Sequence, residues 1–155
     1  MRKKKSKKRE IKLETRFSNL ALSRFINYLM KDGKKLVAQK VVYQALNNIE
    51  KKTKTNPLEV FEKAIENTSP VFEVVSKRVG GANYQVPREV RPQRKFFLAC
   101  KWIIDGACSV KGKPMAAKLA EEIIAAFNNE GSAIRKKQNV HKMAEANRAF
   151  AHFVR

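Results

Sequence analysis

Cysteine and histidine are scarce in this sequence, and long apolar runs are missing from it. Its 155 residues include two cysteines and two histidines, which suit neither a disulfide framework nor a zinc site. We expect Cys100 and Cys108 to be buried small residues in a reducing compartment. No apolar run approaches the roughly 20 residues that cross a bilayer, and the first residues lack the apolar core of a secretory signal. The sequence therefore predicts a soluble protein with no metal, no cofactor and no membrane partner.

Acidic residues are also scarce. The chain has 14 aspartates and glutamates against 34 lysines and arginines, so its formal net charge is +20 at pH 7. The phosphates of a nucleic acid relieve the mutual repulsion of so many cations, and counterion release drives the association. This charge balance indicates a polyanionic partner, while a hydrophobic content of 43% argues against a wholly disordered chain.

Few residues are suited to catalysis. His141 and His152 are eleven positions apart on one predicted helix, about three turns, and neither has an evident triad partner. The paired glycines Gly80 and Gly81 lie in a predicted hairpin, and neither of the glycine-rich phosphate-binding motifs, GxGxxG and GxxxxGKS/T, is present. The sequence predicts that the protein is not an enzyme.

Apolar residues recur at helical spacing in six segments, which predicts a mainly α fold. The first two helices are expected near Asn19 and Val37, the second ending near Lys54, and Asn56 and Pro57 begin the third. One face of this third helix carries Glu59, Glu62 and Glu66, and we expect it to point toward solvent or a basic protein neighbour.

The remaining three helices are predicted from Pro92 onward. Pro92 begins the fourth, and the most regular apolar stripe, residues 116–127, marks the fifth. Gly131 is expected to end this helix, residues 135–137 to form a basic loop, and the last helix to begin near Asn139. The predicted fold is a single domain of six helices.

A strand pattern, a glycine turn and a cluster of cations coincide between Phe72 and Pro92. β-Branched and aromatic residues favour two strands, and the glycines permit the positive φ of a tight turn. We therefore predict a protruding two-stranded β-hairpin arm at residues 72–91. Its positive charge is too great for Glu73 and Glu89 to balance. Tyr84 is expected either to stack on a base or to pack on a cross-strand partner in the hairpin.

The first 16 residues form a lysine-rich run, predicted to be a basic N-terminal arm preceding a helical RNA-binding domain at residues 17–155. A DNA reader of the helix-turn-helix type concentrates its contacts on one helix. The cations here are spread over a tail, loops, a hairpin and a terminal helix, which favours a large folded RNA.

Four segments together resemble one known family. They are FINYLMKDGKK at 25–35, NPLEVFEKAIEN at 56–67, RVGGANYQVPREVRP at 78–92 and HKMAEANRAFAHF at 141–153. In order and in sequence they resemble the universal family of small-subunit ribosomal protein seven, in its bacterial or organellar form. The resemblance implies a mostly helical body with a β-ribbon.

The resemblance also implies a function. It implies a structural protein of the small ribosomal subunit that binds the 3′ major domain of the ribosomal RNA (rRNA) and nucleates assembly of the subunit head. Exit-site transfer RNA (tRNA), messenger RNA (mRNA) and ribosomal proteins nine and eleven of the small subunit are the implied partners. The implied location is a ribosome of the cytoplasm or, alternatively, of a plastid or other organelle. A free regulator that binds its own messenger is the alternative function.

Two sets of residues are the candidate binding residues. The hairpin tip expected near the exit-site ligand consists of Gly80, Gly81, Asn83, Tyr84 and Gln85. The residues expected to bind RNA are Arg2, Lys3, Lys4, Lys5, Lys7, Lys8, Arg9, Lys34, Lys35, Lys77, Arg78, Arg91, Arg94, Lys95, Lys113, Arg135, Lys136, Lys137, His141, Lys142 and Arg148.

Overall fold

The structure, a computed structural model, describes residues 13, 14 and 16–154. Within these residues the fold is mainly α, with one two-stranded antiparallel hairpin, as the sequence predicts. The elements are α1 (Leu20–Leu29), α2 (Lys35–Thr53), α3 (Pro57–Thr68), β1 (Phe72–Val79), β2 (Ala82–Glu89), α4 (Pro92–Ser109), α5 (Met115–Phe127), α6 (Gly131–Ala146) and a 3₁₀ helix (Arg148–Val154). The contacts divide the chain into two compact units, Met1–Gln39 and Lys40–Arg155.

In the first unit, α1 begins at an asparagine cap. The Asn19 side chain accepts hydrogen bonds from the backbone N–H groups of Ala21 and Leu22, at 2.8 and 3.1 Å. These bonds satisfy two of the donors that a helix N-terminus leaves unpaired. Leu22 and Phe25 on this helix are fully buried.

In the second unit, α3, α4, α5 and α6 pack against one another. Asn56 caps α3 by accepting a hydrogen bond from the N–H of Leu58 at 3.1 Å, and Pro57 is its first residue, as predicted. Ile103 of α4 and Leu119 of α5 are fully buried. The apolar stripes read from the sequence therefore mark the core of this unit.

The start of α6 differs from the prediction. The helix begins at Gly131 rather than near Asn139, so residues 135–137 are helical and not a loop. The buried carboxylate of Glu122 on α5 caps this start, because it accepts hydrogen bonds from the Ser132 hydroxyl at 3.0 Å and the Ala133 N–H at 2.8 Å. A cap supplied by another helix leaves no local sequence signal of the usual kind.

The end of α6 also differs from the prediction. The helix ends at Ala146, and Asn147 caps it with its backbone N–H bonded to Met143 O. The prediction that His141 and His152 lie on one helix was therefore wrong, because His152 lies on the separate 3₁₀ helix.

The two cysteines have different environments. Cys100 is buried, as predicted, and burial raises the pKa of its thiol to about 12. Cys108 is exposed, so its prediction as a buried residue was wrong. It lies in the last turn of α4, where the next residues, Ser109 and Val110, are exposed as well.

The hairpin follows a regular register from Phe72 opposite Glu89 to Val79 opposite Ala82. Only Gly80 and Gly81 lie between the strands, with φ of +57° and +95°. Two consecutive positive φ values are typical of the tight turns that match strand twist, and glycine adopts them without strain. Both strands contact α6, and β2 also contacts the 3₁₀ helix.

Candidate nucleic-acid interface

The hairpin tip presents most of its predicted residues to solvent. Gly80, Gly81, Asn83 and Gln85 are exposed. Arg78 pairs with Asn83 in the register and is also exposed. The tip therefore offers a cation, two amides and accessible backbone, all suited to phosphate and base edges.

Tyr84 has a different environment from the rest of the tip. It is half-buried, with its ring centroid 5.2 Å from that of Phe150 and 5.4 Å from that of Phe153. The two alternatives considered from the sequence were a base and a cross-strand neighbour. Across the hairpin Tyr84 lies opposite Lys77, and two aromatic rings of the C-terminal 3₁₀ helix are further partners that the sequence did not indicate.

A buried carboxylate organises the base of the hairpin. Glu73 on β1 is only 8% exposed and forms salt bridges with Arg88 of β2 and Arg94 of α4. Burial raises the pKa of Glu73, but the hydrogen bonds and charges of the two arginines outweigh this and hold it below its usual range. Arg88 is therefore balanced by an acid, contrary to the sequence prediction.

The first turn of α4 is exposed and cationic. Pro92 is its first residue, and no side chain caps the helix at Arg91. Arg91, Pro92, Gln93 and Arg94 line an open cavity of about 520 Å³. Half-buried Lys95 follows in the same turn. Because a helix N-terminus favours anions, charge and helix dipole act in the same direction here.

Two of the candidate RNA-binding residues on α6 face the protein. Lys137 is half-buried and its Nζ donates a hydrogen bond to the carbonyl of Asn67 at 2.6 Å. His141 Nε2 accepts one from the N–H of Val71 at 3.1 Å. Burial lowers the pKa of both side chains, and the charge of Lys137 lowers the pKa of His141 further. Both side chains hold α6 against neighbouring segments.

The other candidate cations on and after α6 face solvent. Arg135, Lys136, Lys142 and Arg148 are all exposed. None of them forms an ion pair within the part of the chain that the structure describes. This part of the surface is therefore available to an anionic partner.

Two further candidates already have partners in the protein. Lys77 Nζ donates a hydrogen bond to the carbonyl of Phe153 at 2.6 Å. Lys113 Nζ lies 2.8 Å from both carboxylate oxygens of Glu121, and its hydrogen bond lowers the pKa of this carboxyl group. An RNA phosphate would compete with these contacts.

The remaining candidates lie in or near the first unit. Lys34 and Lys35 are exposed around the start of α2. The N-terminal candidates are outside the described residues. They are Arg2, Lys3, Lys4, Lys5, Lys7, Lys8 and Arg9.

Residues 13, 14 and 16–154 contain neither a metal-ligating cluster nor a helix fit to cross a membrane. Within them, no group of three or more histidine, cysteine or acidic side chains is placed to hold a metal ion. No helix in the same range has both the length and the apolar character needed to cross a membrane.

Sequence analysis missed two features of this region. The first is Glu73, whose bonds with two arginines depend on the hairpin register and on α4. The second is the packing of Phe150 and Phe153 against Tyr84. These phenylalanines are three positions apart, and residues at this spacing lie on the same side of a 3₁₀ helix. The spacing was visible in the sequence, but the helix type was not.

A family model described as Ribosomal protein S7p/S5e matches residues 1–148. The chain belongs to this family. It is 54% identical over 153 residues to the small ribosomal subunit protein uS7 of Thermotoga maritima, with 99% of each chain covered. The uS7 proteins of Thermotoga neapolitana and Petrotoga mobilis are each 52% identical over 153 residues, again with 99% of both chains covered.

These matches confirm the resemblance read from the four sequence segments, and the relatives named above are bacterial. The S7p/S5e proteins are structural ribosomal proteins and not enzymes, so family membership confirms the prediction that this protein is not a catalyst.

Proposed function

We propose that this protein, a structural constituent of the small ribosomal subunit, binds the 3′ major domain of the rRNA and nucleates assembly of the subunit head. In this proposal the hairpin tip lies near the exit-site tRNA and mRNA, and ribosomal proteins nine and eleven are neighbours. The ribosomal role is supported by relatives named small ribosomal subunit protein uS7. The assignment to RNA binding is supported by the exposed cations.

The observation that carries the RNA assignment is the distribution of unpaired cations over elements that contact one another. The hairpin contacts α6, and α6 contacts α4. These three elements, the N-cap residue of α4 and the second residue after α6 carry exposed or half-exposed cations without an ion pair among the described residues. They are Arg78, Arg91, Lys95, Arg135, Lys136, Lys142 and Arg148.

Such cations are suited to phosphate recognition. A surface salt bridge contributes little to stability, and unpaired cations contribute repulsion instead. Their presence in one unit is therefore explained better by an external polyanion than by folding. If each cation neutralises about one phosphate, log K should fall by about 0.7 to 0.9 per contact for each unit of log salt concentration.

The test is chemical footprinting of small-subunit rRNA with the purified protein, combined with affinity measurements over a range of salt concentrations. Wild type is expected to protect the 3′ major domain. A variant in which Arg135, Lys136 and Lys142 are each replaced by Gln should keep the pattern, bind more weakly and show a salt slope smaller by about 2 to 3.

The matched control replaces Lys40, Lys51 and Lys54 by Gln. These lysines are exposed and lie in or just after α2, and replacing them removes the same net charge as the first variant does. If both variants lose affinity equally, the binding depends on total charge and the proposed surface is wrong. Protection by wild type outside the 3′ major domain would contradict the proposed rRNA site.

A further inference from the structure

The C-terminal 3₁₀ helix lies against the aromatic residue of the hairpin that is suited to base stacking. Phe150 and Phe153 are nearly parallel, with 13° between their planes and 6.3 Å between their centroids. Both rings contact Tyr84. An aromatic side chain with both neighbours in place has less of its ring available to a nucleobase.

A polar contact ties the same segment to the other strand. Lys77 pairs with Tyr84 in the register, so the two side chains share one face of the hairpin. Lys77 Nζ donates a hydrogen bond to the carbonyl of Phe153 at 2.6 Å. The segment is thus held to both strands, through the ring of Tyr84 on β2 and the ammonium group of Lys77 on β1.

The segment is also of a kind that detaches at low cost. It is a seven-residue 3₁₀ helix, which is longer than the three or four residues usual for this helix type and has poorer hydrogen-bond geometry than an α helix. It follows the end of α6 at Asn147. None of residues 148–153 is buried, and segments with few buried contacts belong to the least stable parts of a fold.

We infer that the 3₁₀ helix is a releasable strap that restricts Tyr84 in the free protein, so that a nucleobase stacks on Tyr84 only when the strap lifts. Stacking on Tyr84 and packing of Phe150 and Phe153 compete for the same ring. The strap therefore lowers the affinity of the free hairpin for arbitrary single strands. The competition between a nucleobase and the two phenylalanines rests on the proposed RNA-binding function. The coverage of Tyr84 by the 3₁₀ helix does not.

The test uses the full chain with Phe150 and Phe153 both replaced by Ala. Hydroxyl-radical labelling read by mass spectrometry reports the solvent access of each tyrosine, and Tyr28 and Tyr43 serve as internal references. The variant is expected to show labelling of Tyr84 increased at least about twofold, with the references unchanged. Phe127→Ala is the matched control, because it removes an exposed phenylalanine from the end of α5.

The second measurement is the affinity for a ten-nucleotide oligouridylate at fixed low salt. The double variant should bind about fivefold more tightly or better, the increase that one additional base stack supplies. Tyr84→Ala in the same background should remove the increase. Lys77→Met is the second variant, to be used if the double variant fails to fold. It leaves all three rings in place and should also raise the labelling of Tyr84, by a smaller amount.

The outcomes separate this inference from the proposed function. Unchanged labelling of Tyr84 overturns the strap. Increased labelling with unchanged or weaker oligouridylate binding also overturns it, because the phenylalanines then do not compete with a base. If wild type fails to bind rRNA at all, the proposed function is wrong, while the labelling still decides whether Tyr84 is covered.

Discussion

His141 on α6 accepts a hydrogen bond at Nε2 from the backbone N–H of Val71, with 3.1 Å between the two nitrogens. Its ring also meets the edge of Phe72 at a centroid distance of 6.5 Å. The residue therefore joins α6 to the start of β1. Only the neutral imidazole can accept this bond, because both nitrogens of a protonated histidine are donors.

This contact predicts a pH dependence of stability. Burial and the nearby charge of Lys137 hold the pKa of His141 below its ordinary value of 6.5. As the pH falls below 6.5, the unfolded chain takes up the proton first, so the free energy of unfolding decreases. Urea unfolding between pH 8 and pH 5 should show this loss on acidification. Glu145 and Arg148, which carry opposite charges, line the same groove as His141.

His141→Gln is the informative variant, because a glutamine oxygen does not titrate and also accepts a hydrogen bond. It should flatten the pH dependence in this range, whereas His152→Gln, a change at an exposed histidine, should leave it intact. An unchanged pH dependence in His141→Gln would show that another group is responsible.

Lys136 and Lys137 are adjacent in sequence and are predicted to have different roles. Lys136 is exposed without an ion pair among the described residues, whereas Lys137 Nζ donates to Asn67 O at 2.6 Å. Lys137→Gln should lower the free energy of unfolding by about 1–2 kcal/mol, since a charged hydrogen bond at a partly exposed site is lost. Lys136→Gln should leave stability unchanged and reduce the salt slope of rRNA binding by about 1. Equal effects of the two variants on both measurements would contradict this division.

Glu73 is predicted to stabilise the base of the hairpin. Glu73→Gln removes the acceptor charge from Arg88 and Arg94 and should lower the free energy of unfolding by about 1–2 kcal/mol, a value reduced because both arginines are half exposed. Glu89→Gln is the control, at an exposed position of β2.

The effect of Glu73→Gln should depend on pH. The pKa of Glu73 is below its ordinary value of 4.5, so its stabilising contribution is present above pH 4.5 and is lost as the pH falls through the lowered pKa. The difference between wild type and Glu73→Gln, measured by urea unfolding from pH 7 to pH 3, should therefore shrink on acidification. A constant difference would show that the charge of Glu73 is not what stabilises the hairpin.

The features that the sequence predicted correctly depend on local patterns. The apolar stripe of residues 116–127, the Asn56-Pro57 start of α3 and the Gly80-Gly81 turn are each determined within a few positions of the chain. The start of α6 was placed eight residues too late, at Asn139 instead of Gly131.

That error has a tertiary cause, since the capping carboxylate of Glu122 comes from α5. The same limit applies to the candidate site. Exposure separates Lys136 from Lys137, but which of two adjacent lysines faces inward depends on the position of Asn67 on α3. Ile134, Lys137, His141 and Ala144 lie at helical spacing, but only Ile134 and Ala144 are apolar, so the sequence carried only a weak signal that α6 starts earlier.

Gly106 on α4 faces the start of α6, and replacing it tests this junction. A Cβ atom at Gly106 would overlap Ser132 Oγ and lie 2.9 Å from Glu122 Oε1. Gly106→Ala should therefore lower the free energy of unfolding by about 1–3 kcal/mol, the usual cost of overpacking, although alanine is the better helix former. Ser132→Ala in the same background should restore part of this loss, because it removes the nearest atom. If Gly106→Ala were neutral or stabilising in thermal unfolding, the cap of Glu122 on α6 could not be as closely packed as the structure has it, and the early start of α6 would need another cause.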